Sequence, residues 1–246
     1  MIKKILAAAL VSGALLVPSQ GGAAATAAPS VDAKTALPLG GVFSASGAEN
    51  RATPPVFPPN SAPHGQSYGE WTANWWQQVI AIPADENPLF ENGPVNCNLG
   101  KGKVVFLVGT FGGTAERSCT VPPGTALLLP LINSGCTEFT DGLEDDAALR
   151  ACAKQIADTF KVDGLKASVD GKPVTGLEQF RFASPLFTIN APAGSILGNT
   201  VETTTPAVAD GYYVMLTPLT PGVHTVTFGG AAGGFSTETT YHITVK

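Results

Sequence analysis

The chain has 246 residues, 44% of them hydrophobic and only 13% charged, with 28 glycines, 20 prolines and a formal net charge of −5. The acidic balance argues against nucleic acid and anionic membrane as partners. Low charge and abundant Gly and Pro suit turn-rich β structure better than a helical bundle. Lys3 and Lys4 precede an apolar run from Ile5 to Val17 and small residues through Ala28, with Ala23-Ala24-Ala25 and Ala25-Thr26-Ala27 as A-x-A sites. This pattern reads as a secretory signal over residues 1–28, and the apolar run is shorter than the roughly 20 residues a membrane span needs. The mature protein is therefore expected to be secreted, either extracellular or in the periplasm or cell envelope.

Residues 29–66 are rich in Ala, Pro, Ser and Gly and read as an extended or disordered leader. A single domain is expected over 67–246. It opens on a helix: Ser67 and Glu70 have the spacing of a capping box, and Tyr68, Trp71, Trp75, Val79 and Ile82 recur every three or four residues. Pro83 disfavours helical geometry at Ile82 and ends the element. All three tryptophans lie here, so the helix is expected to seed the core.

Beyond the polar turn at Ala84–Pro88, strands are expected at Lys103–Thr110, Ser118–Val121 and Thr125–Ile132. Leu127, Leu128 and Leu129 are apolar on both faces, which predicts a central strand. A second helix is expected from the acidic run Asp141, Glu144, Asp145 and Asp146, with Asp141 as its cap and Leu149, Cys152, Ile156 and Phe160 as its buried stripe. Calcium-loop spacing is absent from that run, and capping accounts for it. The remainder reads as strands at Lys166–Val169, Pro173–Val174, Phe180–Phe182, Phe187–Ile189, Tyr212–Leu216, His224–Phe228 and Thr239–Val245, with Asp170-Gly171 as a two-residue hairpin turn. The expected fold is mainly β: an antiparallel β-sandwich, immunoglobulin-like or jelly-roll-like, with two peripheral α-helices.

An even set of cysteines, Cys97, Cys119, Cys136 and Cys152, in an exported chain predicts disulfides. Sequential pairing, Cys97 with Cys119 and Cys136 with Cys152, is favoured, and the second bridge would then staple the second helix to the strand before it. C-x-x-C spacing is missing, so zinc is not expected there. His224 and His242 fall on terminal strands that should pair, and with Glu238 they form the alternative metal set; ordinary surface histidines are the commoner outcome, and no metal is expected.

The run Tyr68-Gly69-Glu70-Trp71, Trp75-Trp76, Ile82-Pro83 and Asn87-Pro88 is similar to the opening of a group of exported bacterial proteins of unknown function. So are Gly109-Thr110-Phe111-Gly112-Gly113, Cys119-Thr120-Val121-Pro122, Pro130-Leu131-Ile132-Asn133, Pro221-Gly222-Val223-His224 and the ending Tyr241-His242-Ile243-Thr244-Val245. The likeness covers residues 67–246 and transfers no catalytic residue. The closing segment also resembles the last hairpin of immunoglobulin-like sandwiches, a likeness of fold that carries no function.

Two functions compete. A non-catalytic binding or structural role would use exposed aromatics: of the adjacent pairs Trp75 with Trp76 and Tyr212 with Tyr213, one member each is expected to face outward, offering a platform to a glycan or cell-surface ligand. The alternative is a secreted hydrolase of polysaccharide or cell wall, with Glu70, Asp85, Glu86 and Glu91 as its candidate carboxylates. Neither a G-x-S-x-G elbow nor a phosphate loop or dinucleotide fingerprint is present. No cofactor is expected, and the binding role is favoured.

Overall fold

The computed structural model describes residues 54–246; the secretory signal over 1–28 and the leader as far as residue 53 lie outside the described residues. Helix α1 (Tyr68–Ile80) starts as its capping box dictates. The Ser67 hydroxyl accepts from the Glu70 amide, and the Glu70 carboxylate accepts from the Ser67 amide at 2.7 Å. Its tryptophans are all buried, which is tolerable because each indole N–H finds an acceptor. Trp71 donates to the Pro63 carbonyl, Trp75 to the Leu107 carbonyl and Trp76 to the Tyr213 hydroxyl.

The rest is built from β1 (Gly93–Pro94), β2 (Gly100–Lys101), β3 (Val104–Phe106), β4 (Gly113–Val121), β5 (Ala126–Thr137), α2 (Glu138–Asp141), α3 (Asp146–Ala157), β6 (Phe160–Val169), β7 (Lys172–Pro173), β8 (Arg181–Ala183), β9 (Phe187–Ala191), β10 (Thr203–Leu216), β11 (Gly222–Ala232) and β12 (Phe235–Val245). One sheet has the order β1-β4-β12-β11-β6-β7; the other runs β2-β3-β5-β10-β8, with β9 also paired to β10. Residues of both sheets and of α1 share one hydrophobic cluster.

Both sheets are mixed, which corrects the antiparallel expectation. The pairs β1–β4, β12–β4 and β3–β5 are parallel. The physical reason lies at Pro122-Pro123-Gly124. Prolines supply no ladder N–H, so β4 and β5 do not close a hairpin there. The chain instead crosses between sheets, and each strand takes a parallel partner. Gly230 of β11 keeps the sheets close, since a Cβ there would lie 2.7 Å from the Ile132 side chain of β5.

Expectation and structure agree that β5 is internal to its sheet, between β3 and β10. Asp170 and Gly171 both take positive φ, 51° and 73°, as a tight β6–β7 turn requires. Both disulfides pair sequentially, Cys97 with Cys119 and Cys136 with Cys152, and the second joins β5 to α3. Among the described residues there are three α-helices where two were expected. Asp141 does not cap the long one: it ends α2, where left-handed Gly142 breaks the run, and Asp145 caps α3 by accepting from the Ala148 amide. Phe160 belongs to β6, and the buried stripe of α3 is Leu149, Ala153 and Ala157. No helix among the described residues is long and apolar enough to cross a membrane.

Residues 54–66, expected to belong to a disordered leader, are packed on the domain. Val56 bridges Leu216, the Phe57 amide donates to the Met215 carbonyl, and the Tyr68 hydroxyl donates to the Phe57 carbonyl. Val56 and Phe57 supply the apolar contact that composition alone obscures.

Candidate apolar binding pocket

A cavity of about 370 Å³ opens beside the second half of α1. Trp75 and Trp76 form its back; Pro130 to Gly135 of β5 form its floor. Ile156 of α3 and Phe160 of β6 close one side, and Ala232, Phe235 and Thr237 of the β11–β12 hairpin close the other, with Leu89, Ile196 and the Gly109–Phe111 segment completing the wall. Both indoles turn their N–H groups toward interior acceptors and remain largely buried.

Polar side chains in the wall are few: Thr110, Asn133, Ser134 and Thr237. Thr237 donates to the Thr110 carbonyl, and Ser134 to the Ala153 and Asp210 carbonyls. Asn133 offers both an amide donor and an acceptor. No acidic or basic side chain lines the cavity. Phe111 and Phe235 of the wall are partly exposed, and Phe90, 54% exposed and outside the wall, stands 5.6 Å from Phe111 between ring centroids. The arrangement is that of a small-molecule site: concave, mostly apolar and aromatic, with isolated polar points.

Of the candidate binding residues, Trp75 and Trp76 come together at this cavity. Tyr212 and Tyr213 do not form an outer platform; they are 5% and 0% exposed. The reason is that both faces of β10 are covered: Trp75 and Trp76 of α1 pack against Tyr213, while α3 packs against Val208 on the opposite face, so alternation along the strand exposes neither ring. Burial and the loss of hydration push the Tyr213 hydroxyl well above the ordinary tyrosine range.

The candidate carboxylates do not meet at the cavity. Glu70 is held at the α1 N-terminus by Ser67, whose amide and hydroxyl keep its carboxyl below the usual range. Asp85 and Glu86 are exposed beyond the other end of α1, roughly 15 Å from Glu70 at about 1.5 Å of rise per residue. Glu91 is exposed and contributes its backbone carbonyl to Arg117. None of the four lines the pocket.

The alternative metal set is also dispersed. Thr225, not His224, lies opposite His242 in the β11–β12 register, so the two rings project to opposite faces of the sheet. His242 bonds Glu116, and Glu238 pairs with Lys166. Among the described residues the metal-like grouping is Cys136, Asp141 and Cys152, whose sulfurs are spent in the disulfide.

Sequence reasoning missed Phe90, Phe111 and Phe235. Phe111 precedes Gly112-Gly113 and Phe235 follows Gly233-Gly234. A large aromatic beside glycines has no neighbouring side chains to cover it, and that was the legible signal. No protein-family model matches the chain, and a comparison with curated proteins finds no similar sequence. Among solved structures it matches a chain from the structure of PbICP-C in complex with falcipain-2 at 10% identity and a TM-score of 0.25, covering 59% of this chain and 100% of that one. A likeness at that level bears on neither fold nor function.

Proposed function

We propose that this is an exported, non-catalytic binding protein that holds a small, mostly apolar molecule in the pocket beside Trp75 and Trp76. The observation that carries the reading is the lining itself: an apolar, aromatic-rimmed cavity of about 370 Å³ without a carboxylate in its wall. That volume lies within the roughly 300 to 1,000 Å³ common for ligand pockets. Export is supported by the two disulfides, which persist in oxidising compartments, and by the signal-like start of the chain. For a glycan the wall offers few hydrogen-bonding groups, so an apolar ligand fits it better than a sugar.

The test is a titration of the purified mature protein with hydrophobic probes such as dodecanol, read through tryptophan emission. Because Trp75 and Trp76 line the pocket, occupation should shift or quench emission with saturable, one-site behaviour. The double variant Phe111→Ala, Phe235→Ala removes exposed rings, and it should weaken binding about tenfold while leaving the unfolding midpoint nearly unchanged. Unsaturable quenching, or equal affinity in the double variant, would count against the reading.

A further inference from the structure

We propose, building on that reading of the pocket, that its ligand is a short, uncharged apolar peptide, held in extended form as an added strand along the free edge of β5. β3 pairs with β5 only from Ala126 to Leu128, and the Leu107 amide makes the last bond, to the Leu128 carbonyl. Beyond that point the segment departs: the Phe111 amide donates to the Leu89 carbonyl, and the Thr110 carbonyl accepts from Thr237. Pro130 to Gly135, the part of β5 that β3 leaves uncovered, is the part that lines the cavity.

The register decides which backbone groups reach that edge. On β10, Ala209 gives its amide to the Ser184 hydroxyl and its carbonyl to the Ser184 amide, so both point away from β5. Gly211, two residues on, shares that orientation, and so does Tyr213, whose amide donates to the Phe180 carbonyl. Ala209 stands opposite Gly135, and Gly211 opposite Asn133. Across an antiparallel ladder the two members of such a pair both turn their polar groups outward. Asn133 and Gly135 therefore aim N–H and C=O at the free edge. Thr137 has the same parity, and its amide leaves the ladder for the Asp141 carboxylate. Among the described residues no backbone group pairs with those of Asn133 and Gly135 on that side.

Backbone N–H and C=O groups require partners. Here they form a row about 7 Å long, the rise of two strand residues, inside an otherwise apolar wall. An extended amide chain answers such a row donor to acceptor, as strand addition does elsewhere, whereas a hydrocarbon or a simple alcohol leaves most of it unmet. Side chains of the added strand would alternate between two apolar surfaces. On one face lie the indoles, since a Cβ on Gly135 would come within 3.4 Å of the Trp76 ring. On the other lies α3, where Ser134 bonds the Ala153 carbonyl and Ile156 and Phe160 continue the wall. Apolar residues therefore suit both positions, and a wall without acidic or basic side chains suits an uncharged peptide.

Wild-type protein is titrated with acetyl-Leu-Val methylamide, with the same compound methylated on every amide nitrogen, and with dodecanol, using tryptophan emission as the readout. The parent compound should bind about tenfold tighter than its methylated form, which has lost the donors that the Asn133 and Gly135 carbonyls need. Deuterium exchange followed by NMR supplies the second measurement. With the parent compound bound, the Asn133 and Gly135 amides should exchange about tenfold more slowly than with dodecanol bound. Equal affinity of the two peptides, binding of dodecanol but of neither peptide, or exchange at Asn133 and Gly135 that the bound peptide does not slow each overturns strand addition. Dodecanol binding then leaves the pocket reading standing, and failure of all three probes overturns that reading as well.

Discussion

His224 shows how a single ring can be set by its neighbours. Its Nδ1 lies 2.8 Å from an Asp170 carboxylate oxygen, and Nε2 lies 2.9 Å from the Thr220 carbonyl. Both neighbours are acceptors, so only the doubly protonated ring satisfies them together. Partial burial pulls the His224 pKa down, but the Asp170 and Thr220 bonds outweigh it and leave the value above 6.5. Burial likewise raises Asp170, and the bonds from His224 and the Thr225 amide overcome that and hold it below its ordinary range. The signs of the two linkages follow. The His224 contribution is fully present below the unfolded pKa near 6.5 and is lost as pH rises through the higher folded value; the Asp170 contribution is present above about 4 and is lost as pH falls through the lower folded value. Wild type should thus exceed His224→Gln in stability by about 1 kcal/mol or less near pH 5.5, because Asp170 is half exposed, and the gap should close by about pH 9. Urea unfolding of both proteins across that range measures it, and a gap that widens with rising pH would refute the protonated assignment.

At the level of single elements, α1 was the most legible part of the chain, because its signals are local. Ser67 and Glu70 fix the start, the tryptophan spacing fixes the buried face, and Pro83 follows the end. Ser67→Ala should cost about 1 kcal/mol in unfolding free energy. Glu70→Gln preserves the box geometry and should cost only a few tenths. Equal and large losses from both would show that Glu70 does something beyond capping. α3 was read less well, since four acids within six residues leave the cap position ambiguous until Gly142 is known to take a left-handed turn. The Tyr212 and Tyr213 prediction failed for a similar reason. Outward alternation holds only for a strand with one wet face, and Tyr212-Tyr213-Val214-Met215-Leu216 is as unbroken an apolar run as Leu127–Leu129. Applying the both-faces-buried rule there would have withdrawn the platform and left the indoles as the binding candidates.

Across the whole molecule, what escaped the sequence is what depends on partners distant along the chain. Parallel pairing of β4 with β12 joins residues more than a hundred positions apart, and the cavity is assembled from α1, β5, α3, β6 and the β11–β12 hairpin, none of which signals it alone. The segment 54–66 belongs to the same class. Its composition suggests a tail, yet it supplies the Pro63 carbonyl to Trp71, the Phe57 carbonyl to Tyr68 and the Pro55 carbonyl to the Thr217 amide. It thereby straps the start of α1 to the end of β10. Removing it would leave the Trp71 indole and the Tyr68 hydroxyl short of partners at a cost of about 1 to 3 kcal/mol each, with incomplete additivity. A chain beginning at Ser67 should therefore unfold at a clearly lower urea concentration than one beginning at Pro54, by roughly 2 to 5 kcal/mol in total. Tyr68→Phe in the longer chain should reproduce part of that loss. If the shorter chain matched the longer one in midpoint, the strap would be ornament, and the domain would begin at the capping box.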